Sequence, residues 1–381
     1  MSVALLDFTA SELRAWVGEP GRTWHPVRLE PDSFALPLAL AAQRRRWVTG
    51  LAAQVRTRSE PHQALGSLLR FLATRQPLAL GRYTITAEEA LVKLLEHARP
   101  RLNHATGVLA LVPAWLEIAD AERLAGALAR AHLTPLAILP RCLLLATEAL
   151  ETAASTEKVL LVEFDDAALT AAWLDRAEGH IRWHLAAQLP HLGRSSWREA
   201  LIHAAAETCV HQCRRDPRAV PESDQELFNA ADAWLTRPDP LAPLSAQVTF
   251  PRSEETQALV VAPTQVALAL QPLIQAVADQ VAGQLGSVPA PVNVLLSHPL
   301  AALPGLADAV AEKTGRRPLD VDSRSVLPLI GSALAQRLIQ GELPALPVLP
   351  TALPLHDSSS AEFVFDADEA TPAAARRTSS L

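Results

Sequence analysis

The same succession of hydrophobic patterns occurs twice along this chain, and that repetition limits its fold more than any other feature. In the first half, residues 3–6 are an apolar run, and the strand pattern resumes over 12–17 after a polar turn, which predicts a β-hairpin. Residues 46–50 read as a short strand running into a helix near Leu51, and residues 87–99 have helical spacing. A buried strand at 107–113 follows, then a helix over 119–132 with Asp120 and Glu122 in its first turn, where the dipole favours acids. A strand at 134–139 and a helix at 142–150 complete a βαβα run.

The second half repeats the plan. Residues 159–162 and 169–174 predict a hairpin, and Ile181, Trp183 and Leu185 alternate with Arg182 and His184 as a half-buried strand does. Helices are expected over 196–213, 226–235, 264–285, 306–314 and 326–340, with a strand at 292–296. Two halves built alike imply an internal duplication. The expected fold class is α/β, with lobe I over residues 1–152 and lobe II over 153–340, each a mixed, mainly parallel sheet covered by helices. Beyond them, Pro344, Pro347, Pro350 and Pro354 space out an apolar strap over 341–357 that is expected to dock on the body. Residues 358–381 are polar and acidic with little to bury, and are expected to be disordered.

Composition narrows the partners. With 381 residues, 49% of them hydrophobic, the chain is long enough for two cores. A net charge of −7 disfavours nucleic acid and anionic membranes, which need a basic face. The compact basic cluster Arg44, Arg45 and Arg46 reads as a solvated strand edge. The longest uncharged region, 256–278, is broken by Pro263 and Pro272 and fits a strand-turn-helix better than a bilayer span. Membrane insertion is therefore not expected, and the absence of a basic leader gives a cytoplasmic expectation. Cys142, Cys209 and Cys213 are too few for a disulfide framework, and the last two, one helical turn apart, read as packed core rather than metal ligands.

The chemistry turns on the loop between residues 158 and 174. A strand, tight turn and second strand form the layout that presents bare backbone N–H groups to a phosphate, yet this turn carries Asp165 and Asp166. Two carboxylates repel a phosphate at that range. Turn chemistry places them facing solvent.

Four local strings in this order, Val112-Pro113-Ala114-Trp115, His191-Leu192-Gly193 with Trp197, residues 295–304, and Gly331-Ser332-Ala333, resemble the nucleotide-binding domain of the heat shock protein 70 family, within the actin-like ATPase superfamily. The resemblance covers residues 1–340 and implies an actin-like, ribonuclease H-like ATPase fold of two duplicated lobes. It also implies where a nucleotide would sit. The first phosphate loop of the family corresponds to Asp7-Phe8-Thr9-Ala10-Ser11, with Thr9 in place of glycine, and the second to Glu163 through Ala168, with every glycine lost. Ser297 and His298 replace the glycine pair of the adenosine loop, Asn229 and Asp232 fall at its adenosine clamp, and Pro140 and Gln63 or Ala64 stand where the catalytic glutamate and lysine belong. The expected degenerate cleft is Asp7, Thr9, Glu163, Asp165, Asp166, Gly193, Ser297 and His298. Without the phosphate nests, the lysine and the carboxylate, phosphoryl transfer loses its electrostatic support. The resemblance thus implies a pseudo-ATPase that holds another protein as a scaffold or chaperone accessory, with no cofactor; the alternative is a divergent chaperone-like ATPase binding ATP and magnesium by altered contacts.

Overall fold

A computed structural model describes residues 2–44, 46–74, 76–102, 105–152, 158–236, 238–239, 241–250, 255–286 and 292–354. The chain is α/β, built on two mixed sheets. In the first sheet β1 (Val3–Phe8) pairs antiparallel with β2 (Glu12–Gly18) and parallel with β3 (Gly107–Val112), which pairs parallel with β4 (Pro135–Pro140). The second sheet is assembled in the same order and sense. There β5 (Lys158–Phe164) pairs antiparallel with β6 (Leu169–Ala177) and parallel with β8 (Val292–Ser297), which pairs parallel with β9 (Leu319–Val321). The long β7 (His180–Leu189) extends the hairpin side.

Strand alternation divides the interior into layers, because successive side chains point to opposite faces. Ala4, Leu6 and Phe8 of β1 face a core shared with α1 (Ala87–Ala98) and α2 (Ile118–Arg130). On β5 the matching set Leu160, Val162 and Phe164 faces α4 (Arg194–Cys213), α5 (Pro221–Thr236), α6 (Pro263–Leu285) and α7 (Leu306–Thr314). The intervening residues, Val3 and Leu5 of β1 with Val159 and Leu161 of β5, share one central core with α3 (Arg141–Thr152) and α8 (Ser323–Ile339). These two helices cross over: α3 leaves the first sheet and packs on β5, β6 and β7, while α8 ends the second half yet lies against β1. A Cβ on Gly331 of α8 would come 3.2 Å from Leu5, so the close packing there depends on glycine. The next inward positions along β1 and β5 are Asp7 and Glu163, which points two carboxylates into the central layer from equivalent places.

Most elements fall where the sequence periodicities put them. Two differ. Leu185, expected inside, is exposed while Ile181 is buried, because the strand covering the β7 edge reaches only His180 to Arg182. The antiparallel hairpin Leu244–Phe250 and Glu255–Val261 was only half legible, as a strand leading into α6. Arg44 and Arg46 flank a tight turn between strands Leu40–Gln43 and Arg46–Thr49, and Arg45 lies outside the described residues. Among the described residues, no helix is long and apolar enough to cross a membrane.

The strap lies on the body. Its β10 (Ala352–Pro354) adds an antiparallel strand to β7. The indole of Trp183 donates to the Pro350 carbonyl at 2.9 Å, and Arg337 donates to the Pro354 carbonyl at 3.1 Å. Leu349 donates its amide to Ile138 of β4 at 3.0 Å, so the segment ties the edges of both sheets. Leu343, Leu349 and Leu353 are buried, whereas Leu355 and residues 358–381 lie outside the described residues. Each buried leucine contributes about 1.5–3 kcal/mol. Truncation after Gly341 is therefore expected to lower the melting temperature by at least several degrees, which a thermal denaturation scan checks.

Candidate functional site

The turn after β5 faces inward, which overturns the solvent-facing reading of its carboxylates. Asp165 and Asp166 are 8% and 5% exposed. The reason is the hydrogen-bond supply around them. Ala167 and Ala168 donate their amides to Asp165 Oδ1 at 2.8 and 3.1 Å, closing the turn on its own side chain. From the opposite lobe, Ala10 donates its amide to Asp165 Oδ2 at 3.0 Å, and the indole of Trp115 donates to the same oxygen at 2.9 Å. Backbone N–H groups of both hairpin turns thus converge on one anion, and that anion is a side chain. Burial pushes the Asp165 carboxyl above its ordinary range, with these four hydrogen bonds opposing the shift.

Thr9 keeps the first turn in shape: its Oγ1 accepts from the Glu12 amide at 3.0 Å, while its own amide donates to the Glu12 carbonyl at 2.9 Å. The second turn is backed by Gly193. A Cβ there would meet the Ala168 nitrogen at 2.8 Å and the Ala167 carbonyl carbon at 3.0 Å, so this glycine permits the start of α4 to touch the turn. The Arg194 amide then donates to the Asp165 carbonyl at 2.7 Å, and Ser195 Oγ to the Asp166 carbonyl at 2.9 Å.

Arginines complete the closure. Arg194 contacts Glu12 of the first lobe at 3.4 Å and Asp232 at 3.3 Å, and donates to Thr236 Oγ1 at 2.7 Å. Arg198 contacts Asp166 at 2.7 Å and Asp232 at 2.8 Å and lies 4.4 Å over the Phe228 ring. Burial alone would raise the carboxyls of Glu12 and Asp166, but Arg194 with Arg14 in the first case, and Arg198 with Arg194 in the second, hold both below the usual range. Ser67 of the first lobe also donates to Asp166, at 3.3 Å. At the outer lip Arg58 is bound to Glu199, stands 3.7 Å from Asp224, and donates its amide to Gln225 at 2.8 Å. The two lobes are joined from base to mouth.

Deeper in, Arg141 at the start of α3 lies between the paired inward carboxylates, 3.6 Å from Asp7 and 3.0 Å from Glu163. Asp7 Oδ1, Arg141 Nε and Glu163 Oε1 are buried without an aligned hydrogen bond, so the contact is Coulombic. Burial pushes Glu163 up to about 7, with Arg141 opposing and Asp7 and Asp165 assisting.

Of the expected cleft residues, Asp7, Thr9, Asp165, Ser297 and His298 line a single cavity of about 60 Å³. Small-molecule sites usually have about 300–1,000 Å³, so what is left here has room for a few waters. Glu163 and Gly193 stand behind the loops, and Asp166 turns toward Arg198. Ser297 is buried at the end of β8, and His298 has its ring 3.8 Å from Asp320. Asn229 and Asp232, placed at the adenosine clamp by resemblance, accept instead from Gln225 and from the two arginines. Cys209 is buried on α4 and Cys213 half-buried, their sulfurs 3.4 Å apart.

Sequence reasoning missed Arg141, Arg194, Arg198 and Arg58. A signal existed for the first two. Each opens a helix, where the dipole disfavours a cation, so something acidic had to compensate. No family model matches the chain, and no curated protein resembles it at a significant level. The functional reading therefore rests on these residues.

A carboxyl whose folded pKa is raised adds stability below its unfolded value near 4.5 and loses it as pH rises through about 7. Glu163→Gln removes that titration. The variant's melting temperature, relative to wild type, is expected to increase by several degrees between about pH 5 and about pH 8; thermal scans across that range check it.

Proposed function

We propose that this protein is a catalytically degenerate, heat shock protein 70-like pseudo-ATPase with an actin-like fold, acting as a cytoplasmic scaffold or assembly factor that holds another protein. The matching order and sense of the two sheets, with helices exchanged between them, supports the fold reading. The observation that carries the functional one is the Asp165 carboxylate, which takes the amides of Ala10, Ala167 and Ala168 that a phosphate would need. A bound phosphate would have to displace a carboxylate already held by four donors, and would then meet its charge at close range. Electrostatic support is what phosphoryl transfer most depends on. With that support redirected to an internal anion, the two-lobe body serves best as a fixed platform.

A rigid body with joined lobes offers partners a constant surface, whereas an active chaperone gates its lobes with nucleotide. The lobe-spanning contacts of Arg58, Arg194 and Asp165 support the fixed state.

Calorimetric titration with ATP and magnesium tests this reading. No saturable heat is expected up to millimolar nucleotide, and Asp165→Gly is expected to lower the melting temperature without conferring measurable affinity. A dissociation constant in the low micromolar range for the natural chain would contradict the proposal and favour a working nucleotide site.

A further inference from the structure

Strands Leu40–Gln43 and Arg46–Thr49 and the hairpin Leu78–Leu80 with Tyr83–Ile85 line a groove of about 1260 Å³. Arg44, Arg46, Arg82 and His62 line it around an aromatic floor of Trp47 and Tyr83, whose rings are 5.6 Å apart. Arg82 lies 5.0 Å over the Tyr83 ring and donates to Tyr83 Oη at 2.8 Å and to the Arg44 carbonyl at 3.0 Å. Tyr83 Oη is bonded to the same carbonyl. These are neutral acceptors, so Arg82 is held in place with its charge uncompensated. Several arginines elsewhere pair with acids, among them Arg14, Arg22, Arg56, Arg123, Arg194 and Arg218. Among the described residues, Arg44, Arg46 and Arg82 have no carboxylate within ion-pair distance, in a chain of net charge −7.

The volume exceeds the roughly 300–1,000 Å³ of small-molecule sites and suits a length of polymer. The chain itself carries a segment of matching chemistry. Residues 361–369, Ala-Glu-Phe-Val-Phe-Asp-Ala-Asp-Glu, lie outside the described residues and hold four carboxylates and two phenylalanines. In an extended conformation Phe363 and Phe365 share one face, with Glu362, Asp366 and Asp368 on the other. We infer that residues 361–369 of this chain are the occupant of the groove, the phenylalanines on Trp47 and Tyr83 and the carboxylates on Arg44, Arg46 and Arg82. Aromatic stacking and guanidinium–carboxylate pairing then act together. The net negative charge disfavours nucleic acid as a competing occupant. This inference is independent of the nucleotide cleft.

The test uses the full chain carrying Phe363→Ala and Phe365→Ala, so that its own segment is disabled, titrated with a fluorescein-labelled synthetic peptide of residues 359–370 and read by anisotropy. Saturable binding is expected. Adding Arg46→Glu and Arg82→Glu should weaken it by about tenfold or more, since two favourable charge contacts become repulsive. Peptide with Phe363→Ala and Phe365→Ala, of unchanged charge, should also bind less tightly, and the chain with its natural segment should bind labelled peptide more weakly by competition. An absence of binding at millimolar peptide would overturn the inference, as would affinity that survives the charge reversal in a chain of unchanged melting temperature. Equal affinity for the peptide lacking both phenylalanines, or displacement of the peptide by a short single-stranded oligonucleotide at lower concentration than by unlabelled peptide, would overturn it equally.

Discussion

The Asp165 carboxylate accepts hydrogen bonds from Ala10 and Trp115 of one lobe and from Ala167 and Ala168 of the other, and the geometry around it follows from keeping that anion buried. Amides of two tight turns need acceptors when water is excluded. Supplying one from within satisfies both turns and fastens the lobes together. Gly193 then has to be small, because the start of α4 closes over the filled turn at 2.8 Å from a virtual Cβ. Arg194 and Arg198 follow on the same helix and neutralise the acids that surround it. Removing one partner from such a buried set costs about 3–5 kcal/mol, so the elements constrain one another.

Charge in this layer is not balanced by pairing alone. Five carboxylates, those of Asp7, Glu12, Glu163, Asp166 and Asp232, meet the guanidiniums of Arg14, Arg141, Arg194 and Arg198, and Asp165 beside them is held by N–H donors alone. Burial pushes Glu163 up to about 7, with Arg141 opposing, and moves Asp165 in the same direction against its four hydrogen bonds. Asp7 and Glu163 occupy matching positions on β1 and β5, and Arg141 lies between them at the crossing of α3. Where the two sheets meet, one arginine serves both. At the opposite end the strap, through Leu349 and β10, joins the same two sheets a second time.

Much of the fold was legible because alternation and helical spacing survive in an Ala- and Leu-rich chain: the hairpins of β1 with β2 and β5 with β6, and the helices α1 to α8, lie close to where periodicity puts them. The cleft was legible as a place, since Asp7, Thr9, Asp165, Ser297 and His298 do line one cavity. What Asp165 does there was not. A carboxylate in a β-turn looks solvent-facing until the Ala10 amide and the Trp115 indole arrive from residues more than a hundred and about fifty positions away, and no local pattern records that. Arg141 and Arg194 left a trace, as cations at helix starts, but their acids come from other elements.

An internal carboxylate occupies the two turns. Hydrogen exchange of the Ala10, Ala167 and Ala168 amides in the full chain tests it most directly, because each donates to Asp165. All three are predicted to exchange slowly in the absence of ligand and at rates unchanged by saturating ATP and magnesium. Rapid exchange that slows only when nucleotide is added would contradict the account.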